Sequence, residues 1–510
     1  MWATVIPRQG RAMFSEIEEL RQEAEALLLE QYRAQWANWV QGAPLEIAAT
    51  YEGHEDLFER ATIERVGQAI RAAEGVEALA LRFFRNHLLV EHIGRAVAGL
   101  EDRIMNLQAA ASVEVDGTSF PFRQLNHRIA NEPAAVRRRL LSDSAAPILA
   151  RLTPLLEEKE RISRERTEEL GWTYLSLSAE IRQVDLATLA GQARNLLDRT
   201  AGLYRQSLEQ ALPLLGDTGD NFQGCDLPWL FKGNGFAEYF PADGLVEAVS
   251  DFLEGIGILI ADQSGLQLHL GDTPAKNPRA VCFPIEVPGD IRLSIKPGSG
   301  AMDYRSLFHE MGHAQHFLHT TTPYFEFRYL GSYTTTEVYA SLFEGMLEHP
   351  DFLERRLGMP EGPLAGYLAL TVFQKLFLIR RYAAKLLYEI DLHSGAGEPR
   401  ERYRILQEEA TGMHLNEVDA ERFLLDMDPF FYSADYFRAW QLEAMLDDRL
   451  DADHGAPWFA QADTREDLRF LWAVGSAQSA NELATGLGEE GPIPGPLLAR
   501  LTRYAERSAR

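Results

Sequence analysis

The sequence predicts a mainly α-helical protein with one small antiparallel β-sheet. Three observations carry that prediction. Long stretches repeat apolar residues at helical spacing with few breakers. Only residues 266–295 alternate in the manner of strands. The composition, 510 residues with 46% hydrophobic and 25% charged, supplies enough apolar material for a large core and argues against disorder. A length of this size accommodates more than one domain at roughly 100–200 residues each. The chain divides by texture into an N-terminal helical lobe, residues 1–215, and a second lobe, residues 216–510.

Residues 14–41, 133–171 and 174–215 are rich in Glu, Arg, Leu and Ala, all good helix formers, and read as helix after helix. Near residue 216 the texture changes to GDTGDNFQGCDLPW, a turn-rich stretch that marks the lobe boundary. A helix is expected over 243–261. Residues 266–270 (LQLHL) alternate, and 280–287 and 291–295 follow, the last two separated by the turn Pro288-Gly289-Asp290. Pro284 inside the middle strand predicts an edge position or a bulge. The loop 297–300 (PGSG) leads into a helix for which Asp303 is the expected N-cap. Beyond it, residues 334–357, 364–393 and 434–450 read as long helices.

Charge and cysteine content restrict the function. Acidic residues number 76 against 50 basic, a formal net charge of −26. Such a chain is unsuited to gripping a phosphate backbone or an anionic bilayer, so neither nucleic acid nor membrane is expected as a partner. The two cysteines, Cys225 and Cys282, make no disulfide framework and fit a reducing compartment; Cys282, in a strand, is expected to be inert. The N-terminal segment has no basic region followed by an apolar one. The longest apolar run, residues 256–261, is far too short to span a bilayer. A cytoplasmic location is expected.

The chemistry lies in His309-Glu310-Met311-Gly312-His313. On a helix, residues four apart share a face, so both imidazoles can meet one zinc ion. Glu310 then sits beside the ion as general base, and later as the acid that protonates the leaving amine. Gly312 keeps the helix slim where a neighbour approaches. A catalytic zinc needs a third protein ligand. His319 has the metzincin spacing, but the midway residue is His316 rather than glycine. A continuing helix carries His319 about 9 Å along the axis, out of reach. Glu337 opens the next helix and shares a face with Glu344. Two acids on an otherwise apolar helix are expensive without partners. Glu337 is therefore read as the ligand and Glu344 as an anchor for His309 or His313. His316 either lines a channel or packs in the core.

These residues carry a resemblance. HEMGHAQH followed by EVYASLFE is similar to the zinc oligopeptidase family of thimet oligopeptidase, neurolysin and oligoendopeptidase F, closest to the oligoendopeptidase F branch. The likeness is specific over about residues 280–345. It implies a two-lobed helical ellipsoid flanking a deep substrate channel, with one zinc at its floor and short peptides as substrates. The segment 429–436 (PFFYSADY) resembles the family's source of transition-state hydroxyls, which implies oxyanion or substrate contacts for Tyr432 and Tyr436. The chain departs from the family in three places. No histidine stands just before Tyr432, the glycine-rich loop of the thimet branch is missing, and Ala439 occupies a further tyrosine position. Arg438 is a candidate to hold a substrate carboxylate.

The resulting expectation is a zinc-dependent endopeptidase that attacks internal bonds of short peptides with zinc-bound water. Its ligands are His309, His313 and Glu337, and its catalytic residues Glu310, Tyr432 and Tyr436. The alternatives are a zinc metallocarboxypeptidase and a catalytically weakened zinc-containing peptide-binding protein.

Overall fold

The Leu-, Ala- and Glu-rich stretches fold as helices in a computed structural model that describes residues 8–215, 222–271, 273, 276, 277, 279–298 and 300–509. Helix accounts for 73% and strand for 5%, the latter in two small sheets. The first helix, α1 (Arg8–Trp36), ends in a short π-turn, Ala37–Gln41, closed by Gly42 in the left-handed region. The long α2 (Gly75–Ala110) leads into a hairpin, β1 (Ser112–Val115) and β2 (Thr118–Pro121), paired antiparallel. Its turn is Asp116-Gly117, both at positive φ, the arrangement that suits the twist of a two-residue hairpin.

The stretch 133–171 is broken into Ala135–Asp143 and α3 (Ala146–Glu169). Residues 174–215 likewise split into α4 (Tyr174–Arg182) and α5 (Leu186–Ala211). Gln183 at φ 51 stops α4, and Asp185 caps α5 by accepting from the Thr188 N–H at 2.7 Å. The helix expected over 243–261 is shorter, α6 (Leu245–Gly255), because Gly257 turns the chain at φ 78. The lobe boundary expected near 216 lies largely outside the described residues.

The second sheet comprises β3 (Leu266–His269), β4 (Val281–Glu286) and β5 (Asp290–Ser294) in the order β3-β5-β4. β4 runs antiparallel to β5, but β3 runs parallel to it. The sheet is therefore mixed and not antiparallel as expected. Buried Lys276 ties the two strand ends together: its ammonium donates to the carbonyls of His269, Gly271 and Ile295. Pro284 lies in the edge strand β4, with a bulge between Pro284 and Glu286, as its missing N–H requires.

The next helix, α7 (Ala301–His319), starts two residues before Asp303. Gly300, at φ 113, provides the N-cap position without a side-chain cap. Asp303 is thus not the cap, and its carboxylate accepts from the Gly298 amide instead. After α7 come α8 (Tyr333–Glu344), α9 (Glu361–Ser394), α10 (Ser433–His454) and α11 (Gly495–Ser508). The helix expected over 334–357 bends at Gly345–Glu348 and restarts at Pro350. α9 is long and apolar enough to cross a membrane by length and composition, and most of that stretch is buried inside the protein.

Two large cores hold the molecule. One joins α1 and α2 to α6, α7, α8 and the mixed sheet. The other joins α4 and α5 to α9, α10 and α11. Both draw on residues from either side of position 215. α8 buries every residue from Thr334 to Phe343, between α7 on one side and α10 on the other.

Candidate metal centre

The site exists because two helix backbones come into contact. A Cβ at Gly312 would lie 2.5 Å from the Tyr339 carbonyl oxygen and 2.6 Å from Ala340 Cα. Only glycine lets α7 and α8 approach so closely. That approach sets His309 and His313, one turn apart with ring centroids at 4.9 Å, against Glu337. His309 Nε2 is 3.6 Å from Glu337 Oε2, and His313 Nε2 is 3.9 Å from Glu337 Oε1. One ligand atom from each of the three residues lies within 4.8 Å of the others.

The other ring nitrogens face away and are occupied. His309 Nδ1 donates to Glu344 Oε2 at 3.1 Å, and His313 Nδ1 donates to Thr336 Oγ1 at 2.8 Å. Both imidazoles are thereby oriented with Nε2 toward Glu337, the nitrogen a metal would use. Glu344 is the anchor the sequence suggested. Its second oxygen accepts from Arg305 at 2.5 Å; Arg305 also binds Glu348 at 2.7 Å, and Glu348 meets Lys375 at 3.1 Å. Burial alone would raise the Glu344 carboxyl, but Arg305 and Lys375 hold it well below the usual range.

Glu337 is 2% exposed, and its Oε2 has no hydrogen-bond partner. Burial lifts its carboxyl to about 7, against the opposing pull of His309 and of the Tyr432 hydroxyl. His309 feels burial in the opposite sense, yet the Glu344 hydrogen bond and the Glu337 charge raise it to about 9. A buried orphan carboxylate oxygen facing two oriented imidazole nitrogens fits a zinc ion. Such a cation would remove the need for protons on this cluster.

Glu310 is half-buried, on the next position of the same helix. Its carboxylate accepts from the backbone N–H of Cys282 on the edge strand β4. Burial raises its pKa, opposed by His309 and Arg279. Both cysteines are free thiols, and burial pushes the Cys282 thiol well up, consistent with its expected inertness.

The tyrosine segment reaches the site through a kinked turn. Phe430 and Phe431, at φ 48 and 57, adopt the left-handed region, which is costly for aromatic residues. The turn is over-determined from α4. Arg182 donates to the carbonyls of Phe430 (2.7 Å) and Pro429 (3.0 Å), and the Phe430 N–H donates to the Tyr174 hydroxyl at 2.9 Å. Arg182 also pairs with Asp435 at 2.8 Å. The outcome is a Tyr432 hydroxyl donating to Glu337 Oε1 at 2.6 Å. Tyr436 stands beside it, its ring centroid 5.2 Å from those of Tyr432 and Tyr382.

All six residues singled out for metal and catalysis thus gather in one place. Three other residues considered lie apart from it. Arg438 is unavailable to a substrate: it is 4% exposed and spends its guanidinium on Asp435 and on the carbonyls of Ala434 and Arg182. His316 is fully buried between Phe317 and Tyr339 and is a core residue. The helix continues to His319, whose Nδ1 donates to the Gln315 carbonyl while its ring packs on Trp472. Sequence reasoning missed Thr336, Arg305 and Arg182. Of these only Arg305 left a signal, a basic residue on the same helix as the histidines.

Next to Tyr432 opens a cavity of about 620 Å³, walled by α1, α2, α3 and the segments 329–333 and 427–432. A scan against protein-family models and a search of curated proteins each give no match to this chain.

Proposed function

We propose that this chain is a zinc-dependent endopeptidase acting on short peptides. The observation that carries the reading is the meeting of His309, His313 and Glu337 within 4.8 Å, with both Nδ1 atoms occupied elsewhere and Glu310 on the adjoining position. The resemblance to the zinc oligopeptidases supports it, and a cavity of about 620 Å³ lined in part by Tyr432 offers room for a substrate. Two free thiols and a net charge of −26 support a cytoplasmic location as part of the same reading.

His309, His313 and Glu337 would hold the ion. When bound, zinc supplies Lewis acidity toward a carbonyl oxygen and lowers the pKa of water. Glu310 is the group placed to take a proton from the attacking water and return it to the departing amine. Its raised pKa brings it nearer to the range in which a carboxyl performs both tasks. The edge strand β4, which carries the Cys282 amide that holds Glu310, offers an extended peptide a backbone to pair with. Tyr432 is placed to donate to the developing oxyanion, exchanging its bond to Glu337 for one to substrate. The carboxypeptidase alternative has lost Arg438 as its carboxylate receptor. The weakened-binder alternative is opposed by the retention of Glu310 in a half-open position beside the ligands.

The test is mass spectrometry of a short-peptide library after incubation with zinc-loaded wild type and with Glu310→Gln. Internal cuts by wild type alone are expected. Removal of single C-terminal residues would favour the carboxypeptidase. Intact peptides with both proteins, each still holding one zinc, would refute hydrolysis.

A further inference from the structure

The turn that delivers Tyr432 to the metal centre is gripped by a stripe of α9. Arg381, Lys385, Glu389 and His393 recur every fourth residue of that helix and so follow one side of it. Each contacts the segment 426–433. Arg381 pairs with the Asp426 carboxylate, and Lys385 with that of Asp428 at 2.8 Å. The His393 ring lies 5.8 Å from that of Phe431 and stacks on Tyr174 at 3.9 Å. Glu389 uses both of its oxygens there. Oε1 accepts from the Asp428 N–H at 2.9 Å, and Oε2 accepts from the Ser433 hydroxyl.

Those two contacts bracket the turn. Asp428 stands immediately before residues 429–432 and Ser433 immediately after them, so one carboxylate ties both ends. Between the ends, Phe430 and Phe431 keep their left-handed conformations, which persist only where the surroundings fix them. The surroundings divide the work. Arg182 holds the interior carbonyls from α4, and Glu389 holds the ends from α9. Glu389 is 1% exposed, an expensive place for a carboxylate. An apolar side chain of similar volume would fill that space at less cost. What only an acceptor pair supplies there is the tie across the turn. With the ends free, Phe430 and Phe431 can relax to right-handed backbone. The Tyr432 hydroxyl, now 2.6 Å from Glu337 Oε1, would then leave its place.

We infer that Glu389 is a positioning residue for Tyr432: by tying Asp428 to Ser433 across the turn, it fixes where the Tyr432 hydroxyl points in the metal centre. It acts through Tyr432 and not on the reacting atoms. That this hydroxyl serves peptide hydrolysis rests on the function proposed above, and the experiment separates the two claims.

Glu389→Met removes both acceptors at similar volume. Glu389→Gln keeps an acceptor for the Asp428 amide and offers the Ser433 oxygen a donor. Both would be assayed zinc-loaded on quenched fluorescent peptides, alone and combined with Tyr432→Phe, at a temperature where circular dichroism shows each fully folded. Glu389→Met should lower kcat by roughly 10- to 100-fold, the scale of a misplacement by about 1 Å, with KM and one zinc per chain unchanged. Glu389→Gln should restore most of the loss. In the Tyr432→Phe background neither should lower kcat further, because residues that act as one unit are not additive. Ser433→Ala cuts one tie alone and should lower kcat in smaller measure, a test that stands if Glu389→Met does not fold. Independently of turnover, a fluorotyrosine placed at position 432 would report its surroundings by fluorine NMR. Its signal should move in Glu389→Met and return in Glu389→Gln. Wild-type kcat in Glu389→Met, loss of zinc with it, or an equal further loss in the Tyr432→Phe background overturns the positioning role and leaves the peptidase standing. If wild type itself cleaves no peptide, the peptidase is refuted and the fluorine signal decides: moved by Met and restored by Gln sustains the role, and unmoved overturns it.

Discussion

Tyr432 is the residue whose role the geometry sharpens most. Its hydroxyl touches Glu337, a proposed metal ligand, and its ring is set by Tyr436 and Tyr333. If it steadies the oxyanion, Tyr432→Phe should keep one zinc per chain and leave KM near its wild-type value. It should lower kcat by roughly 100- to 1000-fold, the usual effect of removing one such donor. Steady-state kinetics with metal analysis checks this; a variant of full activity would make Tyr432 merely structural. At this scale the sequence was legible wherever spacing encodes proximity. His309 and His313 lie one turn apart, and Glu337 and Glu344 two turns apart, so helical periodicity alone puts each pair on one face. Thr336 was not legible, because a threonine near a helix start has many possible roles. Only the depth to which α8 settles on α7 turns its hydroxyl toward His313. Arg438 misled for a related reason: nothing local distinguishes an arginine that faces a substrate from one spent on Asp435 three residues away.

Among elements, the α7–α8 crossing decides whether there is a site. Gly312→Ala forces a methyl group onto the backbone of Tyr339 and Ala340. The helices must separate, and overpacking of that kind costs about 1–3 kcal/mol, sometimes more. Because His309 and His313 flank the contact, zinc affinity should fall together with stability. Chemical denaturation and metal titration of the one variant would show whether the two losses accompany each other. Helices also bury histidines that must stay neutral. Burial lowers His316 to about 4 and His393 to about 3, whereas an unfolded histidine titrates near 6.5. The unfolded chain therefore takes up protons first. The stabilisation is complete above about pH 6.5 and is lost as pH falls toward 4. The carboxyls of Glu91, Glu337 and Glu389, raised by burial to about 7, 7 and 8, act in the opposite sense, so the check is a difference: between pH 7.5 and 4.5 the urea midpoint of His393→Gln should fall less, or rise more, than that of wild type. Sheet pairing was the least legible feature. Alternation located β3, β4 and β5 but said nothing of their order or direction, because strand pairing is decided by contacts between segments and not by the pattern within one. The Asp116-Gly117 hairpin did carry a turn signal, which the helical sequence on both sides concealed.

At the scale of the whole molecule, the two cores fasten the N-terminal helices to those that form the candidate metal centre. Stability and metal occupancy should therefore be linked. An ion bound only by the folded state adds about 2.7 kcal/mol at a free concentration 100 times its Kd. Chelation should lower the melting temperature of the entire cooperative transition, and restoring zinc should reverse it. Calorimetry that detected a local transition alone would contradict this coupling. Mainly helical architecture was readable from periodicity because each helix carries its own 3.6-residue record. The mutual arrangement of the helices was not readable, since contacts such as α5 along α9 join segments that share no local pattern.

The Arg182 clamp has a consequence in time. Arg182 and Phe430 are 248 residues apart in the chain, and a polypeptide emerges from the ribosome at roughly 5–20 residues per second. For tens of seconds the nascent protein carries both histidines' neighbours on one side of the clamp and nothing yet on the other. The Tyr432 hydroxyl takes its place only when late-made chain docks on early-made helix. The candidate site is thus completed only after the segment that carries Tyr432 has been made and has folded back onto α4.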